Sequence, residues 1–143
     1  MFLERRRSQR GNSLVEFSLL APWVLFLFVG VFDMGFYTYS LTSVENAARV
    51  AAEYTSRSPQ TAADTAGACT RALAELSTLS NLRNVSSCNS SPLVVTAASA
   101  AGPDGRPASS VTVTYSGTRL IPIPGLLTGQ LSFSRTVQMR VKP

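Results

Sequence analysis

Two places in the 143-residue chain carry residue types and spacings that chemistry could use. The first is Arg5 to Phe17, RRRSQRGNSLVEF, where a glycine stands at the edge of an apolar run and a carboxylate follows five residues later. At Gly11 no side chain hinders close approach to the backbone, so a peptidase acting at the cytoplasmic face of a membrane can cut before Asn12. Cleavage would expose a new ammonium on Asn12. In a bundle of such helices that amine, or a neighbour's, can neutralise Glu16 beside the apolar phase, whereas in an ordinary signal anchor Glu16 would only snorkel to the headgroups. The second place is the pair Cys69 and Cys88, read as a disulfide in an oxidising compartment, with two free buried thiols as the alternative. The chain has no His and only two Cys, which excludes imidazole metal sites, His-dependent triads and four-thiolate zinc. No metal or cofactor is expected. Nor is an enzyme: past Asp33 the acids Glu45, Glu53, Asp64, Glu75 and Asp104 lie mostly on predicted helix surfaces, and no nucleophile has an evident base.

These residues need elements to hold them. From Leu14 to Tyr39 the sequence LVEFSLLAPWVLFLFVGVFDMGFYTY is broken by only two charges, Glu16 and Asp33. As a helix it would extend about 39 Å, enough to cross a hydrocarbon core of about 30 Å. Both charges can then sit near the interfaces, and Asp33 is read as an interfacial residue. Phe36, Tyr37 and Tyr39 mark the distal interface and Trp23 adds aromatic character within the span. Pro22 frees a backbone carbonyl and is expected to kink the helix. Arg5, Arg6, Arg7 and Arg10 precede the span, against Arg49 and Arg57 at a comparable distance after it, so the N-terminus is placed in the cytoplasm. The apolar run is longer than a signal-peptide core and no A-x-A-like site follows it. The net charge of +5 belongs mainly to this basic leader, since 1–11 hold four of the thirteen cations and one of the eight anions. No basic stripe with interleaved aromatics follows, and nucleic acid is not expected as a partner.

Beyond the span, Leu41, Val44, Ala47, Ala48, Val50, Ala51, Ala52 and Tyr54 keep helical spacing, so the same helix is predicted to continue to about Ser56. A second helix is predicted over about 60–80, with Ser58-Pro59 as a restart, Thr61 and Asp64 as a candidate cap, and Ala62, Ala66, Cys69, Leu73, Leu76 and Leu79 as its apolar stripe. A disulfide would tie that helix to the polar loop Asn81 to Pro92. The period then changes to two, predicting strands over Leu93–Ala98, Ser110–Ser116 and Leu131–Val141, with Arg135 interrupting the apolar face of the last. Gly102-Pro103-Asp104-Gly105 marks the first turn. The apolar connection Leu120 to Leu127, LIPIPGLL, is read as folding back onto helix and sheet, with the membrane surface or another subunit as alternatives. The expected fold class is α+β: a long N-terminal helix, half in the membrane, and a second short helix packed on an antiparallel sheet of about three strands.

The leader resembles the class III leader of the type IV pilin superfamily, in which a prepilin peptidase cuts after a Gly and a Glu stands at the fifth mature position; Gly11 and Glu16 occupy both places. More narrowly, the chain resembles the TadE-like minor pseudopilins of the tight-adherence (Tad/Flp) pilus system. Glu16-Phe17 opening the span, AARVAAEY from Ala47 to Tyr54, and the closing PIPGLLTGQLSFSRTVQMRV carry that resemblance. Major Tad pilins share the leader but lack an external domain of this size. Asn12 departs from the N-methylated aromatic or Met that many type IV pilins carry. The resemblance implies a minor pilin or pilus-assembly protein serving fibre assembly or initiation, with adhesion or secretion downstream. It implies a cytoplasmic leader 1–11 removed after Gly11, a transmembrane part 12–39, and a periplasmic or extracellular domain 40–143. Glu16 and Phe17 would dock subunits. The implied partners are other pilin or pseudopilin subunits, the prepilin peptidase, the inner-membrane assembly platform and membrane lipid, and the implied place is the bacterial inner membrane or the assembled pilus. The alternative is an unprocessed, single-pass envelope protein whose external domain is a binding or adhesin module.

Overall fold

A helix that is apolar on every side along its first half and on one side along its second cannot be solvated by a single medium. The computed structural model, which describes residues 10–118 and 130–142, shows such a helix. Helix α1 spans Arg10–Thr55 in 46 residues and stays helical through Pro22. Among the described residues, all of its buried side chains lie in the second half. There Val44, Ala47, Ala48, Ala51 and Ala52 have no exposed surface. Four alanines on one face let two elements approach the helix backbone at once: helix α2, Thr65–Leu76, and the sheet. Helix α2 answers with its own alanines, Ala68 and Ala72, both fully buried.

The sheet has strands β1 Asn89–Ser90, β2 Leu93–Ala101, β3 Pro107–Thr118 and β4 Gln130–Arg140, in sequence order and antiparallel throughout. Its inner face presents Leu93 and Val95 from β2 and Val111, Val113 and Tyr115 from β3, all buried. Phe133, Val137 and Met139 of β4 pack on the same core. The outer face is polar, with hydroxyl pairs across β3 and β4 at Thr112–Thr136 (2.8 Å) and Thr114–Ser134 (3.0 Å). This alternation is the period-two pattern made physical. The turn between β2 and β3 is the expected one. Gly105 has φ of +71° and its N–H donates to the Gly102 carbonyl, a backbone conformation glycine adopts without strain.

Four expectations need correction. Helix α2 begins at Thr65 rather than near 60, because Asp64 alone caps it: Gly67 N–H donates to Asp64 Oδ1 at 3.0 Å. Ser58 and Thr61 instead bond each other in the preceding turn, and Thr61 Oγ1 donates to the Thr55 carbonyl. The buried stripe of α2 is Ala68, Ala72 and Leu76, with Cys69 and Leu73 on its flank and Ala66 exposed, since small side chains are needed where α1 comes closest. The sheet has four strands, the extra one being a two-residue bridge too short to carry a period. The strands themselves run longer, β2 to Ala101 and β3 from Pro107. Leu120 to Leu127 lies outside the described residues.

Cys69 and Cys88 are bonded, with Cα atoms 5.8 Å apart, and join α2 to the residue before β1. Replacing both by Ser should lower unfolding stability by about 3 kcal/mol on the loop-entropy account, read by denaturant titration of the full chain in detergent. Asp64 gives a second expectation. The Gly67 N–H and the Tyr54 hydroxyl, 2.8 Å away, hold its carboxyl below the ordinary carboxylate range. The folded state thus binds fewer protons at this group than the unfolded chain. Its contribution is full above about pH 4 and is lost as pH falls through the lowered folded value. Asp64→Ala should therefore lower Tm at neutral pH, and the gap from the unaltered chain should narrow on acidification, measured by thermal unfolding across pH.

Candidate membrane-spanning and docking helix

From Leu14 to Phe32 no side chain of α1 is buried among the described residues. Every exposed large apolar side chain among the described residues belongs to it, from Leu14 to Tyr39. Its most apolar 18-residue window has a mean hydropathy of 2.2 and none of that window is buried. A core helix of a water-soluble domain would be covered; this window, among the described residues, is not. Trp23 is 74% exposed and Phe17 69%. The few hydroxyls along it are satisfied internally: Ser18 Oγ donates to the Val15 carbonyl and Thr38 Oγ1 to that of Met34. One long helix is thus compatible with a single-pass membrane protein.

The sequence-predicted residues fall on this helix in order. Arg10, Gly11 and Asn12 form its first turn, while Arg5, Arg6 and Arg7 lie outside the described residues. Glu16 is exposed. It stands four residues after Asn12, one turn further along the same face, and helical side chains lean toward the N-terminus. Phe17, Leu20, Ala21, Val24, Leu25 and Phe28 border an open groove of about 210 Å³ along the helix. Gly30 and Gly35 face open space. Asp33 is half-buried.

What sequence reasoning missed is the joint between the bare half and the packed half. The ring of Tyr37 stands edge-on to Phe133 of β4, with centroids 5.8 Å apart and planes at 82°. Tyr39 donates its hydroxyl to Thr78 Oγ1 at 3.0 Å, and Ser40 is buried. Tyr37 and Tyr39, expected only as interface aromatics, therefore also carry the domain. Their spacing could have hinted at this, because Tyr37, Ser40, Val44 and Ala47 continue one helical stripe. Among the described residues no group of three Asp, Glu, Cys or His side chains could hold a metal.

With this geometry in place, comparison with known families is informative. The family model described as TadE-like protein matches residues 11–53. Over those residues the helix is similar to that family. The match opens at Gly11 and closes two residues before the end of α1, so it covers the bare half and the domain-bearing half together and stops short of α2 and the sheet. No significant match to the chain was found among curated proteins or among solved structures.

Phe26 sits midway along the bare stretch, and Phe26→Arg puts a cation where a bilayer centre would be. It should cost roughly 2.5 to 3.5 kcal/mol in insertion. The variant should shift from the alkali-resistant membrane pellet to the extractable fraction, whereas Glu45→Arg, on the exposed face of the packed half, should not.

Proposed function

We propose that this chain is a minor pilin or assembly subunit of a Tad-type pilus, held in the bacterial inner membrane by 12–39 with its leader, 1–11, in the cytoplasm and 40–143 outside. The observation that carries the reading is the TadE-like match laid over a helix whose most apolar window has no buried residue among those described. In lipid, apolar helix contacts gain little from the hydrophobic effect, because the tails they replace are equally apolar. Specific docking then needs a polar term. The amine created at Asn12 by cleavage after Gly11, paired with Glu16 of the same or a neighbouring helix, supplies one, and Phe17 packs beside it. The four arginines of the leader keep the cleavage site at the cytoplasmic face, where a prepilin peptidase and an assembly platform would meet it. The disulfide between Cys69 and Cys88 suits an oxidising outer compartment.

The test is N-terminal sequencing and intact mass of the protein from native membranes and from sheared appendages. Chains beginning at Asn12 in both fractions are expected. Gly11→Leu should leave the leader attached, while Glu16→Ala should be cleaved normally yet vanish from the sheared fraction. Chains that keep Arg5 to Arg10 in cells with an active prepilin peptidase would sink the reading and leave an unprocessed anchor with an external binding module.

A further inference from the structure

Strand β4 and helix α1 are tied at two points. At one, Lys142 N–H donates to the Ser56 carbonyl; at the other, Phe133 meets Tyr37. From Phe133 to Lys142 the strand direction covers about 30 Å at 3.3 Å per residue. From Tyr37 to Ser56 the helix covers about 28 Å at 1.5 Å per residue. The two lengths agree, so β4 and α1 run side by side in the same direction. β4 is also the last strand of the sheet. Val141 N–H donates to the Pro107 carbonyl, and in an antiparallel ladder such bonded pairs recur at every second residue. The odd-numbered residues of β4 thus turn their backbone groups toward β3. The even-numbered ones, Ser132, Ser134, Thr136, Gln138 and Arg140, turn theirs to the open side, and all of them are exposed.

The two edges of the sheet are finished differently. On the β2 side, Asn89 and Ser90 pair with Val94 and Leu93, Val95 N–H donates to the Cys88 carbonyl, and Thr65 Oγ1, at the start of α2, accepts from Ala97 N–H at 3.3 Å. On the β4 side no strand pairs among the described residues. The register with β3 runs without a bulge and β4 contains no proline, so two common ways of blunting an edge are missing from it. What it carries is charge. Past Asp104 the described residues include the cations Arg106, Arg135, Arg140 and Lys142 and no acid. The guanidinium of Arg135 donates to the Ser134 carbonyl at 3.4 Å, one of the open-side acceptors, which brings its charge to the rim. Arg140 and Lys142 are exposed farther along.

These charges and the direction of α1 decide what can pair there. Two β4 edges joined antiparallel would point their α1 helices opposite ways, although both must enter one membrane from the same side; this exclusion rests on the reading of α1 as a membrane span. Joined parallel about a two-fold axis, they would set Arg135, Arg140 and Lys142 each beside its own copy, and like charges facing each other on neighbouring strands are destabilising. An extended segment with acidic side chains meets neither obstacle.

We propose that the open edge of β4, from Ser132 to Arg140, is a strand-addition site for an extended acidic segment of another polypeptide, its backbone bonded to the even-numbered residues and its carboxylates set against Arg135 and Arg140. The probe is a labelled synthetic peptide of about nine residues, alternating threonine and valine, with two glutamates at the spacing of Arg135 and Arg140. Titrated with the full chain in detergent, it should show a saturable rise in fluorescence anisotropy. Arg135→Glu combined with Arg140→Glu should weaken binding about tenfold or more, and a peptide with lysines in place of the glutamates should then bind that variant in preference. N-methylation of one alternate set of peptide amides should abolish binding, while methylation of the other set should leave it. Thr136→Pro removes an N–H that β3 does not use, so this variant should keep its Tm yet lose the peptide. Absence of saturation, indifference to charge reversal, or equal loss from both methylated sets would overturn the proposal. So would dimerisation of the unaltered chain in sedimentation that Thr136→Pro abolishes, because a second copy then occupies the edge. Failure of the span would show separately, as extraction of the unaltered chain from the alkali-washed membrane pellet, and leaves the titration readable.

Discussion

One helix serving two media is the constraint from which the rest of this structure follows. Up to about Phe32 none of the described side chains of α1 is buried, and most of them are large and apolar. From Ser40 onward the same helix must present a face small enough for both α2 and a sheet to reach it, and Ala47, Ala48, Ala51 and Ala52 do so. Small residues on one element call for small ones opposite, which is why the packed stripe of α2 is also alanine. Larger side chains, Leu76, Leu79, Leu93 and Tyr115, fill the spaces farther from the helix axis. Packing of this kind has little slack, because an added methylene at an alanine contact forces the backbones apart.

Where α1 ends, polar contacts take over from packing. Ser109 Oγ, buried in β3, lies 2.8 Å from both Thr55 Oγ1 and the Ala62 carbonyl. Tyr54 reaches Asp64, the cap of α2, and the guanidinium of Arg71 rests over the Tyr54 ring. A side chain at Gly67 would collide with that ring, so the glycine is what lets the start of α2 close on the end of α1. The hydrogen bond to Asp64 also pushes the Tyr54 hydroxyl above its usual range. These contacts turn the chain sharply after Thr55 and set α2 back along the helix it has just left.

The long helix was legible in the sequence because its signal is strong over many residues: hydropathy for the first half, spacing for the second. The three longer strands were legible through Val111, Val113, Tyr115 and the alternating positions of β4, and the first turn through its glycines. The misreadings have physical causes. Ser58, Thr61 and Asp64 are all capping types, and only the contact with Gly67 decides among them. Ala66 and Ala68 are equivalent by type, and which one is buried depends on where α1 lies, information that no local window holds. Strand β1 owes its existence to the Val95 N–H bond to the Cys88 carbonyl and to β2 beside it, not to its own residues. Along α1 the exposed apolar surface was readable from hydropathy, whereas the double role of Tyr37 required knowing that β4 returns to meet it.

The parallel course of β4 and α1 has a mechanical side. A force applied along the helix axis, pulling the domain away from the bare segment, loads the helix–sheet contact in shear, so the alanine face, the Tyr37–Phe133 contact and the Lys142–Ser56 bond must yield together. A force across the axis would instead peel them one at a time. Shear geometry raises the barrier that governs forced unfolding without altering equilibrium stability. The arrangement makes α1 a tension member, strongest in the direction in which it leaves the domain.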